Sequence, residues 1–314
     1  MQKSKNQIFN YGRAICYSGF RDGQQPGFLS PTYEQVKEDL FILKDHWQYL
    51  RLYDCDPHSD TVLEVIQKEG LDFKVMLGAY IVAEKNNSGC PWGGNNYTEK
   101  ELLTNAIKNK KQIEKLIKLA NKYPDIINAL SAGNEACVDW TDHFVPVEKV
   151  IEYVRLIKAG AKQPVTFCEN YLPWVGNLRP LAKEVDFISI HTYPVWEYKH
   201  ILEAIEYTKD NYNLVANAYP DTPVVITEAG WATNSNGRGI ESHNVSERLQ
   251  RIYYNDLMEW TDREEIITYV FEAFDESWKG SPHPLEPEKH WGLFKMDRTP
   301  KQVVRNLTNR TVKS

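Results

Sequence analysis

The strongest constraint on this chain is an alternation of short apolar or β-branched runs with segments of helical spacing. The runs are "YGRAICYSGF" (11–20), "YLRLYD" (49–54), "FKVMLGAYIV" (73–82), "IINALSAGNE" (126–135), "PVTFCEN" (164–170), "VDFISIHTYP" (185–194), "TPVVITEAGW" (222–231) and "IITYVFEAFDESW" (266–278). Between them the apolar spacing predicts helices: a capped one in "SPTYEQVKEDLFILKDHW", then 59–69, 99–122, 146–160, a shorter one behind the fifth run, 197–217 and 243–262. Strands separated by helices pair in parallel, because a parallel crossover needs a dozen or more residues. Runs such as "VVIT", apolar without alternation, suit strands covered on both faces. Eight such units in 314 residues predict an α/β chain forming a single (β/α)8 TIM barrel over 1–314, rather than two open sheets.

Composition narrows the function. The net charge of −6 argues against nucleic acid as partner, because counterion release needs clustered Lys and Arg. The densest basic run, "NKKQIEKLIKLANK", places Ile113, Leu116, Ile117 and Ala120 at helical spacing and reads as the solvated face of an amphipathic helix. "YSGFRDGQQPG" after the first strand is not GxGxxG opening a helix, which speaks against a dinucleotide cofactor. Five cysteines (Cys16, Cys55, Cys90, Cys137, Cys168) form no CxxC pair and support neither a disulfide framework nor a zinc site. No stretch is long and apolar enough to span a bilayer, and "MQKSKNQIFNYG" lacks the apolar core of a signal peptide. Either the chain is cytoplasmic or a leader has been removed; the latter, with a secreted, periplasmic or cell-surface location, is the expectation.

In a barrel of this kind the active site lies at the carboxyl ends of the strands. Those ends carry Tyr17, Tyr53, Asp54, Asn134, Glu135, Glu169, Asn170, His191, Tyr193, Glu228, Glu272 and Glu276. Glu135 closes the fourth run and Glu228 sits in the seventh, after "VVIT". Strands four and seven lie roughly opposite one another in an eight-stranded ring, so the two carboxyls can face each other. Two facing carboxylates suit glycoside hydrolysis, in which one gives a proton and the other attacks or activates water. Singly, each Glu could as well be an end-of-strand ion pair; the pairing on strands four and seven favours chemistry.

Of nine tryptophans, Trp92, Trp140, Trp174, Trp196, Trp231, Trp278 and Trp291 lie in or beside segments that follow strands three to eight. They could be the cores of long loops, but aromatic faces around a polar cleft also stack on the C–H faces of sugar rings. Carbohydrate is the favoured reading for the group. "DCDPHSD" (54–60) offers Asp54, Asp56, His58 and Asp60, yet its Pro and short spacing fit a loop and a helix N-cap better than a metal site, and no metal is expected. His191 reads as a hydrogen-bonded member of the barrel mouth. No GxSxG elbow offers a nucleophilic serine. Sequons such as "NYT" (96–98) matter only in a eukaryotic secretory setting.

The motifs "AGNE", "ISIHTYP", "VITEAGW", "FEAFDESWK" and "HWGLF", in this order from "YSGFRDGQQP" to "WGLF", resemble those of glycoside hydrolase family 17, with the closer likeness to bacterial and fungal members. This family comprises β-1,3-glucanases and glucanosyltransferases. The resemblance implies a retaining mechanism with Glu135 as acid/base and Glu228 as nucleophile. It also implies that Asn134 binds the sugar 2-hydroxyl, that Tyr193 orients the nucleophile, and that Tyr17 and Tyr53 line the pocket floor. Glu276 and Lys279 match a charged pair on the acid/base side, and Trp140, Trp196, Trp231 and Trp278 are the candidate sugar-stacking residues. Asp275 departs from an Asn of plant members and puts the charge balance there in doubt; Glu272 reads as a structural ion pair.

The expected activity is endo-hydrolysis of a β-1,3-glucan such as laminarin by a monomer needing no cofactor. A glucanosyltransferase using the same two glutamates is the alternative, and a non-catalytic glucan-binding barrel a third reading. Product analysis separates the first two; a reducing-sugar assay on laminarin separates both from the third.

Overall fold

The computed structural model describes residues 8–91 and 96–311, so Trp92 lies outside the described residues. Eight parallel strands close a barrel in chain order: β1 (Ala14–Cys16), β2 (Tyr49–Leu52), β3 (Lys74–Gly78), β4 (Ile127–Asn134), β5 (Val165–Asn170), β6 (Ile188–Thr192), β7 (Val224–Ala229) and β8 (Thr268–Val270). Helices α1 (Tyr33–Leu43), α2 (Pro57–Glu69), α3 (Glu99–Lys122), α4 (Val147–Gly160), α5 (Tyr171–Val175), α6 (Ile201–Ala218), α7 (Glu247–Glu264) and α8 (Gln302–Thr311) follow the strands in turn. This is a (β/α)8 barrel.

Local chemistry sets most helix starts. Thr32 and Thr98 cap α1 and α3 in reciprocal boxes with Gln35 and Glu101, satisfying backbone donors that the first turn leaves unpaired. In the stretch read as a loop and N-cap, Asp56 accepts from Ser59 N at 2.8 Å and Pro57 begins α2. Asp54 there accepts at Oδ1 from three donors, Cys55 N, Tyr80 N and Gln112 Nε2. The run 113–120 lies in α3 and buries Ile113, Leu116 and Ala120, leaving the lysines outward.

All eight strands are shorter than the runs that signalled them, β1 and β8 most of all. β1 covers three residues of 11–20, and β8 ends at Val270 rather than continuing to 278. Beyond Val270 the chain keeps single bonds to its barrel neighbours, Phe271 N to Ala229 O and Ala273 N to Cys16 O, both at 2.9 Å, and pairs in addition with 291–294. Leu293 N donates to Glu272 O at 2.8 Å, Phe294 N to Ala273 O at 2.9 Å and Asp275 N to Phe294 O at 3.0 Å. "FEAFDESWK" and "HWGLF" are therefore two halves of one packed unit. The approach is close enough that a Cβ at Gly292 would stand 2.1 Å from Asp275 N, so only glycine fits there.

The strands that carry the candidate site are irregular at their carboxyl ends. Register shifts fall between Ser131 and Asn134 in β4, between Ile190 and His191 in β6, and between Ile226 and Ala229 in β7. A bulge re-aims the side chains that follow it. Gly133, at φ 155°, has Phe167 and Ile81 where a side chain would go, and Glu135 just beyond it takes a left-handed φ of 45°.

Candidate active site

Glu228 ends β7 in an almost closed nest of donors. Its Oε1 accepts from Arg51 Nη1 at 2.6 Å and from the Tyr53 hydroxyl at 2.9 Å; its Oε2 accepts from the Tyr193 hydroxyl at 2.5 Å. Burial works against the charge, but the positive charges of His191 and Arg51 and the bonds from Tyr193 and Arg51 outweigh it. They hold the carboxyl down to about 2. Glu228 is thus an anion at any ordinary pH, with fixed orientation.

Glu135 has a different environment. Its side chain is 29% exposed, against 7% for Glu228, and His191 Nδ1 at 2.8 Å is its close side-chain partner. The same nitrogen lies 3.4 Å from Glu228 Oε2, so the imidazole joins the two carboxyls. Burial pushes His191 down, but Glu228, Cys168 and Glu135 together raise it to about 10. An oxygen of Glu135, one of Glu228 and a nitrogen of His191 all lie within 4.8 Å of one another. Such a trio could suggest a cation site. Here Arg51 already neutralises Glu228 from inside the barrel, so a further cation would meet a guanidinium.

Arg51 also donates through Nη2 to Asn134 Oδ1, which leaves the Asn134 amide NH2 as the group available to a ligand. Its guanidinium carbon stands 4.3 Å from the centre of the Tyr53 ring. Arg51 was missed in the sequence, although a charged residue inside the otherwise apolar "YLRL" was a signal for it. Tyr80 and His143 were missed as well. Their rings pack 4.9 Å apart, and His143 Nε2 reaches Asn134 O at 3.0 Å, beside the base of Glu135. Glu288 also belongs here: burial first, then repulsion from Glu135 and Glu228, raise its carboxyl to about 7 against the pull of Lys279.

Around Glu276 the charges are paired. Lys279 Nζ lies 2.6 Å from Glu272 Oε2 and 2.7 Å from Glu276 Oε2, while Ser18 and the Trp278 indole donate to Glu276 Oε1. Glu272 has the ion pair expected of it. The charge of Asp275 meets Lys301 Nζ at 2.7 Å, which resolves the balance in doubt there.

Some sequence candidates are not brought to the site. The Tyr17 hydroxyl turns to Asp39 at 3.0 Å and the ring is buried beside His58, so it does not line a pocket floor. Trp231 is buried against Tyr253 with its indole donating to Asn244 O, which removes it as a sugar platform. Trp174 and Trp291 are likewise buried. Trp140 is exposed, and Trp196 and Trp278 are half-buried. Glu169, another carboxylate at a strand end, is buried and spends both oxygens on Cys137 N and Asn170 N; burial and then Glu135 raise it to about 8.

A parallel (β/α)8 barrel with two facing carboxyls of unequal environment at the ends of β4 and β7 defines a barrel glycoside hydrolase. The model of the BtgE/BtgC glycoside hydrolase domain matches residues 14–292. The chain belongs to that family, in keeping with the family 17 resemblance of its motifs. A solved endo-laminarinase from Formosa Hel1_33_131 is 26% identical and covers 98% of this chain and 88% of its own, with a TM-score of 0.83. A glucan 1,3-beta-glucosidase of Arthroderma benhamiae is 22% identical over 84% of this chain and 82% of its own length. The family 17 β-1,3-glucanosyltransferase of Rhizomucor miehei, at 22% identity and a TM-score of 0.70, shares the fold over 95% of this chain and 97% of its own.

Proposed function

We propose that this glycoside hydrolase is a retaining endo-β-1,3-glucanase acting on laminarin-like glucan, with Glu228 as nucleophile and Glu135 as acid/base. The observation that carries the reading is the carboxyl pair, with oxygens within 4.8 Å of each other and only one member clamped as an anion. That spacing suits direct attack; an inverting pair stands about 6.5–9.5 Å apart to admit a water.

In the first step Glu228 attacks the anomeric carbon as the bond to the leaving oxygen breaks, and Glu135 gives that oxygen its proton. The glycosyl ester formed on Glu228 is then cleaved by water, whose proton returns to Glu135. Tyr53, Tyr193 and Arg51 keep Glu228 ionised and aimed, and the Asn134 amide donates to the sugar hydroxyl beside the reacting carbon. Every one of these groups comes from one chain, which is consistent with the monomer expected from the sequence. Among the described residues no helix is long and apolar enough to cross a membrane. A polymeric glucan does not cross one either, which favours action outside the cytoplasm.

Laminarin digestion followed by proton NMR and product sizing tests this. β-Anomers and early mixed oligosaccharides are expected; first-formed α-anomers would overturn retention. Release of glucose alone would overturn the endo mode. Products longer than the substrate at high concentration would move the assignment to a glucanosyltransferase, which uses the same two glutamates.

A further inference from the structure

Beyond the reacting centre, the loop after β1 carries an exposed phenylalanine that neither the fold nor the carboxyl chemistry uses. Phe28 is 79% exposed, in the stretch "RDGQQPGF". Gly23 and Gly27, at φ 77° and 76°, make the two tight turns that set it there. The loop is tied down: Gln25 N donates to Leu29 O at 3.2 Å and Phe28 N to Gln25 O at 3.2 Å. Gln24 reaches Gln35 in α1 at 2.9 Å, and Ser277, beyond β8, donates to Asp22 at 3.0 Å. A phenyl ring held in water by a braced loop is organised in advance for a ligand.

What it faces has the chemistry of a sugar site. Phe28, Trp278, Gln24, Gln25, Ser277 and Gly23 line an open pocket of about 260 Å3. This lies just below the 300–1,000 Å3 or so of drug-sized sites and suits a single ring. Aromatic faces supply stacking for C–H groups; an exposed amide and a hydroxyl supply polar contacts. Side-chain contacts link the pocket wall to the candidate active site. The Trp278 indole donates to Glu276, Glu276 pairs with Lys279, and Lys279 stands over Phe271. Phe271 in turn packs edge-on against Tyr193, which bonds Glu228.

We infer that the Phe28–Trp278 pocket is a distal subsite for one glucosyl unit of a β-1,3-glucan, at least one ring removed from the bond that is cut. This rests on the glucanase reading above. The subsite makes the enzyme prefer long chains, since only a substrate spanning both places collects the extra contact.

The test is kcat/KM on laminari-oligosaccharides of three to seven units for wild type, Phe28→Ala and Phe28→Trp. Wild type should show a rise at one chain length that Phe28→Ala loses by about five- to tenfold, the worth of one aromatic contact. Phe28→Trp should restore it. Parallel length profiles for wild type and Phe28→Ala, or an equal loss at every length, would overturn the subsite while leaving the glucanase reading standing. So would light scattering that shows a wild-type dimer lost in Phe28→Ala with unchanged kinetics, which would assign the ring to self-association. Wild type inert on every laminari-oligosaccharide would instead remove the glucanase reading and the subsite with it.

Discussion

Arg51 and Glu228 meet across the barrel interior, Arg51 Nη1 from β2 lying 2.6 Å from Glu228 Oε1 at the end of β7. Both side chains are nearly out of water, at 3% and 7% exposure. Buried pairs of this kind contribute little net stability, because desolvation offsets the attraction. What the pair does set is a protonation state.

Removing that partner should therefore show in the pH profile. With Arg51→Met, burial raises the Glu228 carboxyl with one opposing charge fewer, so the acidic limb of kcat/KM moves from near 2 toward or beyond the ordinary 4.5. The same group bears on folding. Its depressed value contributes stability that is fully present above about 4.5 and is lost as the pH falls toward 2. Denaturant unfolding of wild type across that window should show the loss, and Arg51→Met should show a smaller one. An unshifted acidic limb would mean that Arg51 does not govern the nucleophile.

Glu135→Gln should lower hydrolysis of laminarin by about 100- to 10,000-fold, the usual worth of a positioned acid. Aryl β-glucosides with good leaving groups need little protonation and should retain more activity. Azide should then raise turnover and yield a β-glycosyl azide, identified by NMR. Wild-type rates in this variant would remove Glu135 from the mechanism.

Lys279 sits between Glu272 and Glu276, both fully buried. Lys279→Met leaves the two carboxyls without their shared cation and should cost about 3–5 kcal/mol in denaturant unfolding. Restoring part of that loss with Glu272→Gln in the same chain would establish the repulsion as its cause. A variant as stable as wild type would contradict the buried pairing.

The tryptophans should separate by readout. Trp231→Phe opens space in a packed core and should cost about 1–3 kcal/mol of stability with KM for laminarin little changed. Trp140→Ala, at an exposed position, should change stability by no more than about 0.5 kcal/mol while KM rises several-fold. Thermal melts and steady-state kinetics on the two variants check both halves.

The amino-acid sequence by itself determined the number and order of the barrel units, because helix periodicity, capping residues and buried strands leave marks within a few residues of one another. Glu135 and Glu228 were legible for the same reason: a carboxylate following an apolar run stands out locally. Tertiary structure alone decided which aromatic rings remain reachable, since Trp231 and Trp140 differ only in what other segments pack on them. It also ended β8 at Val270, beyond which the chain shares its hydrogen bonds between the barrel and 291–294. Arg51 was visible as a charge in a strand, but its purpose lay 177 positions away in sequence. The bulges that turn β4, β6 and β7 toward one centre arise from the registers of neighbouring strands. Register is a relation between distant segments, and no single segment's pattern contains it.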